Sequence, residues 1–172
     1  MNAKIEEVLN NHSNAEFYSA YFYLAMAAYF ERMNLKGFAN WMRVQYQEEQ
    51  AHALHMIGFI TDRGGKVKLL KVDEPKNDWK DAIEVFEDTL AHEIMVSSLI
   101  NNLVDIALKE KDHATVNFLQ WYVNEQVEEE ANVSDILQQL KIIEGKGPGL
   151  FILDRELKTR VFVNPFATAA AV

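Results

Sequence analysis

Glu48-Glu49-Gln50-Ala51-His52 is the stretch from which the rest of the chain can be read. Glu49 and His52 are three residues apart, so a helix places them on neighbouring turns of one face. A carboxylate and an imidazole at that spacing can hold one transition-metal ion. Counting ~100° per residue from Glu49, the same face carries Phe38, Met42, Gln45, Met56 and Ile60. Both side chains therefore point into an apolar seam, where an ionised carboxylate is costly unless it is paired or bound to metal. A lone buried histidine is more often a hydrogen-bonded core residue than a ligand. The pair gains meaning only if other helices supply matching buried carboxylates.

Working outward, the pattern predicts a first helix over about 4–33 and a second over about 36–63, folded back antiparallel across Asn34-Leu35-Lys36-Gly37. Measured from Glu16, the inward stripe of the first helix is Ile5, Leu9, Ala20, Tyr23, Ala27 and Phe30. Glu16 lies at its centre. The second helix ends at Gly64-Gly65. The pattern then lapses over about 64–78, where Val67 to Val72 could run extended and Asp73-Glu74-Pro75 turns. A helix of ~28–30 residues is ~42–45 Å long, and ~14–16 extended residues reach ~46–53 Å. The connection can therefore cross the whole bundle and start the third helix parallel to the second.

That third helix is expected over about 79–111, with Ala82, Phe86, Ser97, Ile100, Val104 and Ala107 on the stripe through Glu93. After an N-cap at Asp112, a fourth runs to about 144 with Leu119, Tyr122, Val123, Val133, Ile136, Leu137 and Leu140 inward. Gln126 sits among them. Glu129 and Glu130 fall on either side of that centre, at about −60° and +40°, and periodicity alone does not choose between them. The chain thus divides into a four-helix bundle over 1–145 and a loop with one short helix over 146–160, the helix itself near 150–158. The stretch 161–172, Ala-rich from Asn164, has no visible patterning and is expected to be a loose tail.

Composition limits the function. The 172 residues suffice for one domain with a sizeable core, 49% of them being hydrophobic. With 17 Lys+Arg against 26 Asp+Glu, the net charge of −9 argues against nucleic-acid binding and a polybasic membrane surface, and suits a protein that handles cations. There is no cysteine, so no disulfide and no thiolate metal site. Residues 1–12 are charged and helical rather than a signal peptide, and the apolar run 17–30 is too short to span a bilayer. A soluble, cytoplasmic protein is expected.

Each of four amphipathic helices thus carries an acidic group near its middle, on its apolar face. Antiparallel helices bring their midpoints to one level, so these groups converge. Glutamates with one or two histidines inside a bundle make the di-iron carboxylate arrangement. Hard oxygen ligands with one imidazole suit iron or manganese better than zinc or copper. The alternative is a bundle whose acidic groups are satisfied by hydrogen bonds alone.

The ordered set Glu16, Glu49-x-x-His52, Glu93 and Gln126-x-x-Glu129 resembles the ferroxidase centre of non-haem bacterial and archaeal ferritins. The resemblance runs from Asn14-Ala15-Glu16 through Phe118-Leu119-Gln120-Trp121-Tyr122 to Phe151-Ile152-Leu153-Asp154. It implies one iron held by Glu16, Glu49 and His52, with Glu49 bridging to a second held by Glu93 and Glu129, Gln126 alongside. It favours Glu129 over Glu130 as the inward ligand. It also implies a third iron position made from Glu48, Glu125, Glu128 and Glu129, and a tyrosine beside the metals at Tyr23. Without it, Glu128-Glu129-Glu130 reads as an exposed acidic run and Tyr23 as a core tyrosine. His12, His55, His92 and His113 read as surface or edge residues with no assigned role.

Departures from neighbouring families narrow this. Helix four has Gln126 and Glu129 where bacterioferritins repeat Glu-x-x-His, and Gln50 stands where their haem methionine follows the glutamate. No haem is therefore expected. The resemblance implies an iron-storage protein with ferroxidase activity. Fe(II) would be oxidised by dioxygen or hydrogen peroxide and deposited as ferric oxide in a hollow shell, usually of twenty-four copies. The alternative enzyme is a small di-iron oxidase or oxygenase without storage.

Overall fold

A computed structural model describes residues 1–167. They form α1 (Ala3–Arg32), α2 (Lys36–Asp62), α3 (Ala82–Lys109), α4 (His113–Ile142) and the short α5 (Gly147–Leu157), with no strand among the described residues. Helices α1 and α2 pack as one hairpin and α3 and α4 as another; α1 also lies on α3, and α5 on α2. The all-α, ferritin-like bundle with one long crossover and a short fifth helix is the architecture expected. No described helix is long and apolar enough to cross a membrane.

The helix starts follow from local capping. The side chains of Asn2, Asp81 and Asp112 accept the backbone N–H of Lys4, Glu84 and Thr115 at 2.8, 2.9 and 3.1 Å. The cap at Asp81 corrects the expected start of the third helix near 79. Glu84 reaches back to the Lys80 N–H at 2.5 Å, closing the first turn, while Trp79 stays outside it. The Trp79 indole is buried and donates to Asp88 at 2.8 Å. Helix α2 has no side-chain cap of its own. Asp154 of α5 serves instead, its Oδ1 accepting from Gly37 N at 2.8 Å and Phe38 N at 3.1 Å. A Cβ at Gly37 would lie 1.5 Å from the Asp154 carbonyl oxygen, so only glycine admits α5 this closely.

The crossover is tied along α1 in steps of one helical turn. Glu6 accepts from Lys66 N at 2.8 Å, Asn10 accepts from Lys68 N at 2.6 Å, and Asn14 donates to the Lys71 carbonyl at 3.2 Å. Farther along, Arg32 pairs with Asp78 at 2.5 Å. The segment therefore runs the length of α1 and delivers α3 parallel to α2, as its reach predicted.

The apolar core falls into two clusters. One surrounds Phe30, Phe38, Met42, Phe86 and Leu140; the other surrounds Ile5, Leu9, Met56, Ile60, Ile100 and Leu119. Between them, in the middle of the helices, the buried residues turn polar: Glu16, Gln45, Glu49, His52, Glu93, Gln126 and Glu129. This polar layer positions the site.

Candidate metal centre

Hydrophobic stripes on α1 to α4 rotate the mid-helix acids inward, because each acid shares its face with core residues one turn above and below. Glu16, Glu49, His52 and Glu93 are all buried, as are Gln126 and Glu129. Among the described residues, the only group of three acidic, histidine or cysteine side chains whose ligand atoms lie within 4.8 Å of one another is Glu16, Glu49 and His52. His52 Nδ1 is 3.6 Å from Glu49 Oε2. His52 Nε2 and Gln45 Oε1 are buried with no hydrogen-bond partner among the described residues. Such orphaned acceptors and donors are rare in a packed interior and fit a site whose natural occupant is a cation.

The other acids are arranged differently. Glu93 accepts hydrogen bonds from the Tyr23 hydroxyl and, at 3.0 Å, from Gln126 Nε2. Glu129 accepts from Gln45 Nε2 at 2.8 Å. Rotation along α4 settles the choice that periodicity left open: Glu129 is 3% exposed, whereas Glu130 lies at the half-buried edge, bonded to Ser97. The third set is not brought together as tightly. Glu48 and Glu125 are half-buried and Glu128 is exposed, and Arg160 Nη2 holds Glu48 Oε2 at 2.6 Å.

Two histidines correct the sequence reading. His12 and His92 are buried rather than at the surface. His12 Nε2 lies 2.8 Å from Glu16 Oε1, one turn away on α1, though not aligned for a hydrogen bond. Its spacing of four residues from Glu16 was the available signal. His92 bonds to the Ser19 hydroxyl at 2.7 Å. His55 is half-buried and His113 exposed, as expected. Gln45 and Arg160 are further participants that the sequence reading left without a role. Phe166, in the stretch expected to be loose, stacks on His55 with ring centroids 3.7 Å apart; residues 168–172 of that stretch lie outside the described residues.

Charge is crowded here. Burial alone pushes the Glu16 carboxyl up, but interaction with the neighbouring imidazoles, His12 above all and then His52, overcomes it and brings it to about 2. Glu49 is pushed well above the usual carboxylate range by burial and then by Glu16 and Glu93. Burial raises Glu93 to about 7 against the hydrogen bonds from Tyr23 and Gln126. It raises Glu129 to about 8, helped by the charges of Glu93 and Glu48. Burial also lowers His52, keeping its imidazole in the neutral form that binds metal. Four buried carboxyls cannot all ionise without a compensating cation. A hard, multiply charged ion with oxygen ligands and one imidazole meets that need.

Residues 6–143 match the ferritin-like domain. The chain is 43% identical over 157 residues to the bacterial non-heme ferritin of Bacteroides fragilis, covering 91% of this chain and 98% of that protein. It is 38% identical over 156 residues to the bacterial non-heme ferritin of Staphylococcus aureus, covering 91% and 94%. Its fold superposes on an engineered closed form of Archaeoglobus fulgidus ferritin with a TM-score of 0.94 at 51% identity, over 95% of this chain and 99% of that one. It superposes on the open-pore ferritin of the same archaeon at 0.92, also at 51% identity, over 94% and 99%. With this domain match over most of its length and a core that converges on buried carboxylates, the chain belongs to the ferritin family.

Proposed function

We propose that Glu16, Glu49 and His52 bind one iron ion, and that Glu93 and Glu129 bind a second, with Gln126 alongside and Glu49 bridging. The protein is an iron-storage protein with ferroxidase activity, and iron is its substrate. The observation that carries this reading is the closed set of Glu16, Glu49 and His52, buried between two apolar clusters and short of positive charge. Anionic oxygen ligands bind Fe(III) more strongly than Fe(II), so the site lowers the cost of removing an electron. Two Fe(II) ions give up one electron each, reducing dioxygen to hydrogen peroxide or hydrogen peroxide to water. Metal binding expels the protons that Glu49, Glu93 and Glu129 hold in its absence.

The second half has no imidazole, which favours release of the product ion. Glu48, Glu125 and Glu128 extend the acidic surface outward from Glu129 and support a third iron position there. The ferric product is stored as a hydrous oxide inside a hollow shell of about twenty-four copies in the cytoplasm. Gln50, in place of a haem-ligating methionine, supports a protein without haem.

The test is size-exclusion chromatography with light scattering, before and after Fe(II) is added in air. A particle of about twenty-four 19.8 kDa chains, taking up iron far beyond its ligand count, is the expected result. A dimer that stops at about two irons per chain would replace storage with a small di-iron oxidase.

A further inference from the structure

The acidic residues of α2 and α4 form a graded path from the interior. Glu129 is buried, Glu48 and Glu125 are half-buried, and Glu128 is exposed. A fixed cation sits on that path. Arg160, three residues beyond α5, binds Glu48 at 2.6 Å, and its guanidinium carbon lies 4.8 Å over the Trp41 ring. Its backbone is anchored too: Asn40 Nδ2 donates to the carbonyls of Leu157 at 3.3 Å, Lys158 at 3.3 Å and Arg160 at 2.9 Å. Beyond it the chain continues along α2 and α4 until Phe166 reaches His55 and Trp121, with centroids 3.7 and 4.4 Å away.

Burial raises the carboxyls of Glu125 and Glu129, and the charge of Arg160 offsets part of that rise at both, so it acts on more than its direct partner. Yet its hold is incomplete. Its Nη1 is buried with no hydrogen-bond partner among the described residues. Only one of the two guanidinium nitrogens thus engages an acid, short of the bidentate pairing that makes arginine–carboxylate pairs strong. A dication offers Glu48 twice the charge.

We propose that Arg160 is a displaceable resident cation of the acidic path, occupying Glu48 so that a metal ion reaches the outer position only by expelling the guanidinium. This rests on the reading of the buried residues as a metal centre. Arg160 acts as a positioning residue, weakening metal at the outer position by competing for its carboxylate. The path then passes ions outward instead of trapping them. An arginine that merely pinned the segment after α5 would leave metal stoichiometry unchanged when replaced.

The experiment is calorimetric titration of the assembled, iron-free protein with Zn(II), which binds without redox chemistry. Wild type is expected to show the buried sites and at most a weak outer one. Arg160→Met, which keeps an apolar stem over Trp41, is expected to add one site per chain, or to tighten an existing weak one about tenfold, within the range for changes beside a metal ligand. Arg160→Lys restores the charge and the wild-type isotherm. Glu48→Gln in the Arg160→Met background removes the gain. An Arg160→Met isotherm that superposes on wild type overturns the proposal, as does a Lys variant that behaves like the Met variant. If Arg160→Met fails to assemble, Glu48→Gln alone decides: it leaves the wild-type sites intact if Arg160 already occupies Glu48, and loses one if metal does. Failure of wild type to bind Zn(II) at all would defeat the buried centre itself rather than Arg160.

Discussion

The buried acids on α1 and α2 and those on α3 and α4, the two halves of the proposed centre, meet at one level but are partnered differently. Glu16, Glu49 and His52 already lie with their ligand atoms within 4.8 Å, and His52 keeps an unpartnered nitrogen. Glu93 and Glu129 are each engaged by neutral donors, Tyr23 and Gln126 on one and Gln45 on the other. On the proposed reading, metal entering the first half relieves crowded charge and displaces the Glu49 proton. Metal entering the second would have to break hydrogen bonds as well as expel protons. A site of similar carboxylates becomes asymmetric through its surrounding amides and hydroxyls. A tight half and a looser half suit an enzyme whose product has to leave.

The largest test sets Glu49→Ala against Glu93→Ala. Glu49 stands in the field of Glu16, Glu93 and Glu129, so it belongs to both halves. Its loss is expected to slow Fe(II) oxidation by more than the roughly 10–100-fold typical of outer residues, as read by stopped-flow absorbance. The metal-free protein should become more stable, because a crowded buried acid has gone. Glu93→Ala should remove one Zn(II) site and spare the other. Equal losses of stoichiometry in the two variants would erase the distinction between the halves.

A pH series sharpens the same contrast. Glu93 and Glu129, raised to about 7 and 8 in the fold, return to about 4.5 on unfolding. The folded state therefore binds more protons than the unfolded one across that window, and stability falls as pH rises through it. Denaturation midpoints of the metal-free protein should drop from about pH 4.5 to about pH 8, and saturating metal should reverse the drop. Zn(II) affinity at the second half should rise over the same range as bound protons become easier to displace. A flat profile would mean that these carboxyls are ionised without metal.

Gln126→Glu is a subtler probe. It replaces an amide that donates to Glu93 at 3.0 Å with a fifth carboxyl. Metal in the second half should bind several-fold tighter and leave more slowly, so initial oxidation persists while repeated turnover declines. The measurement is the ratio of first-burst to steady-state Fe(II) oxidation.

Much of this was legible in the chain because one physical cause, burial on a 3.6-residue period, governs both helix faces and acids. Phe38, Met42, Met56 and Ile60 point inward and carry Glu49 and His52 with them. The crossover could be placed by reach alone. Tertiary partners were not legible. The start of α3 depended on whether Asp81 or an earlier residue closed the first turn, and Trp79 looked helical because it is buried. His92 looked peripheral because its partner, Ser19, comes from another helix. Arg160 pairs with Glu48 across 112 residues, a distance over which no local pattern speaks. His12 is the instructive miss: its spacing from Glu16 was visible, but a four-residue spacing on a helix is common and marks function only once both partners are known to be buried.

That histidine supplies the smallest and most selective prediction. His12→Gln removes the imidazole that does most to hold Glu16 down at about 2. Glu16 is a depressed carboxyl, so it contributes stability above its unfolded value of about 4.5 and loses it as pH falls towards 2. In the variant the acid-unfolding midpoint should therefore move upward. Zn(II) affinity in the first half should weaken about tenfold, as for an outer residue that orients a ligand, while the second half keeps its wild-type affinity. Loss of the whole first site would make His12 a ligand in its own right. A uniform weakening of both halves would show that its charge acts across the entire layer, and the asymmetry between hairpins would then owe less to local partners than the geometry implies.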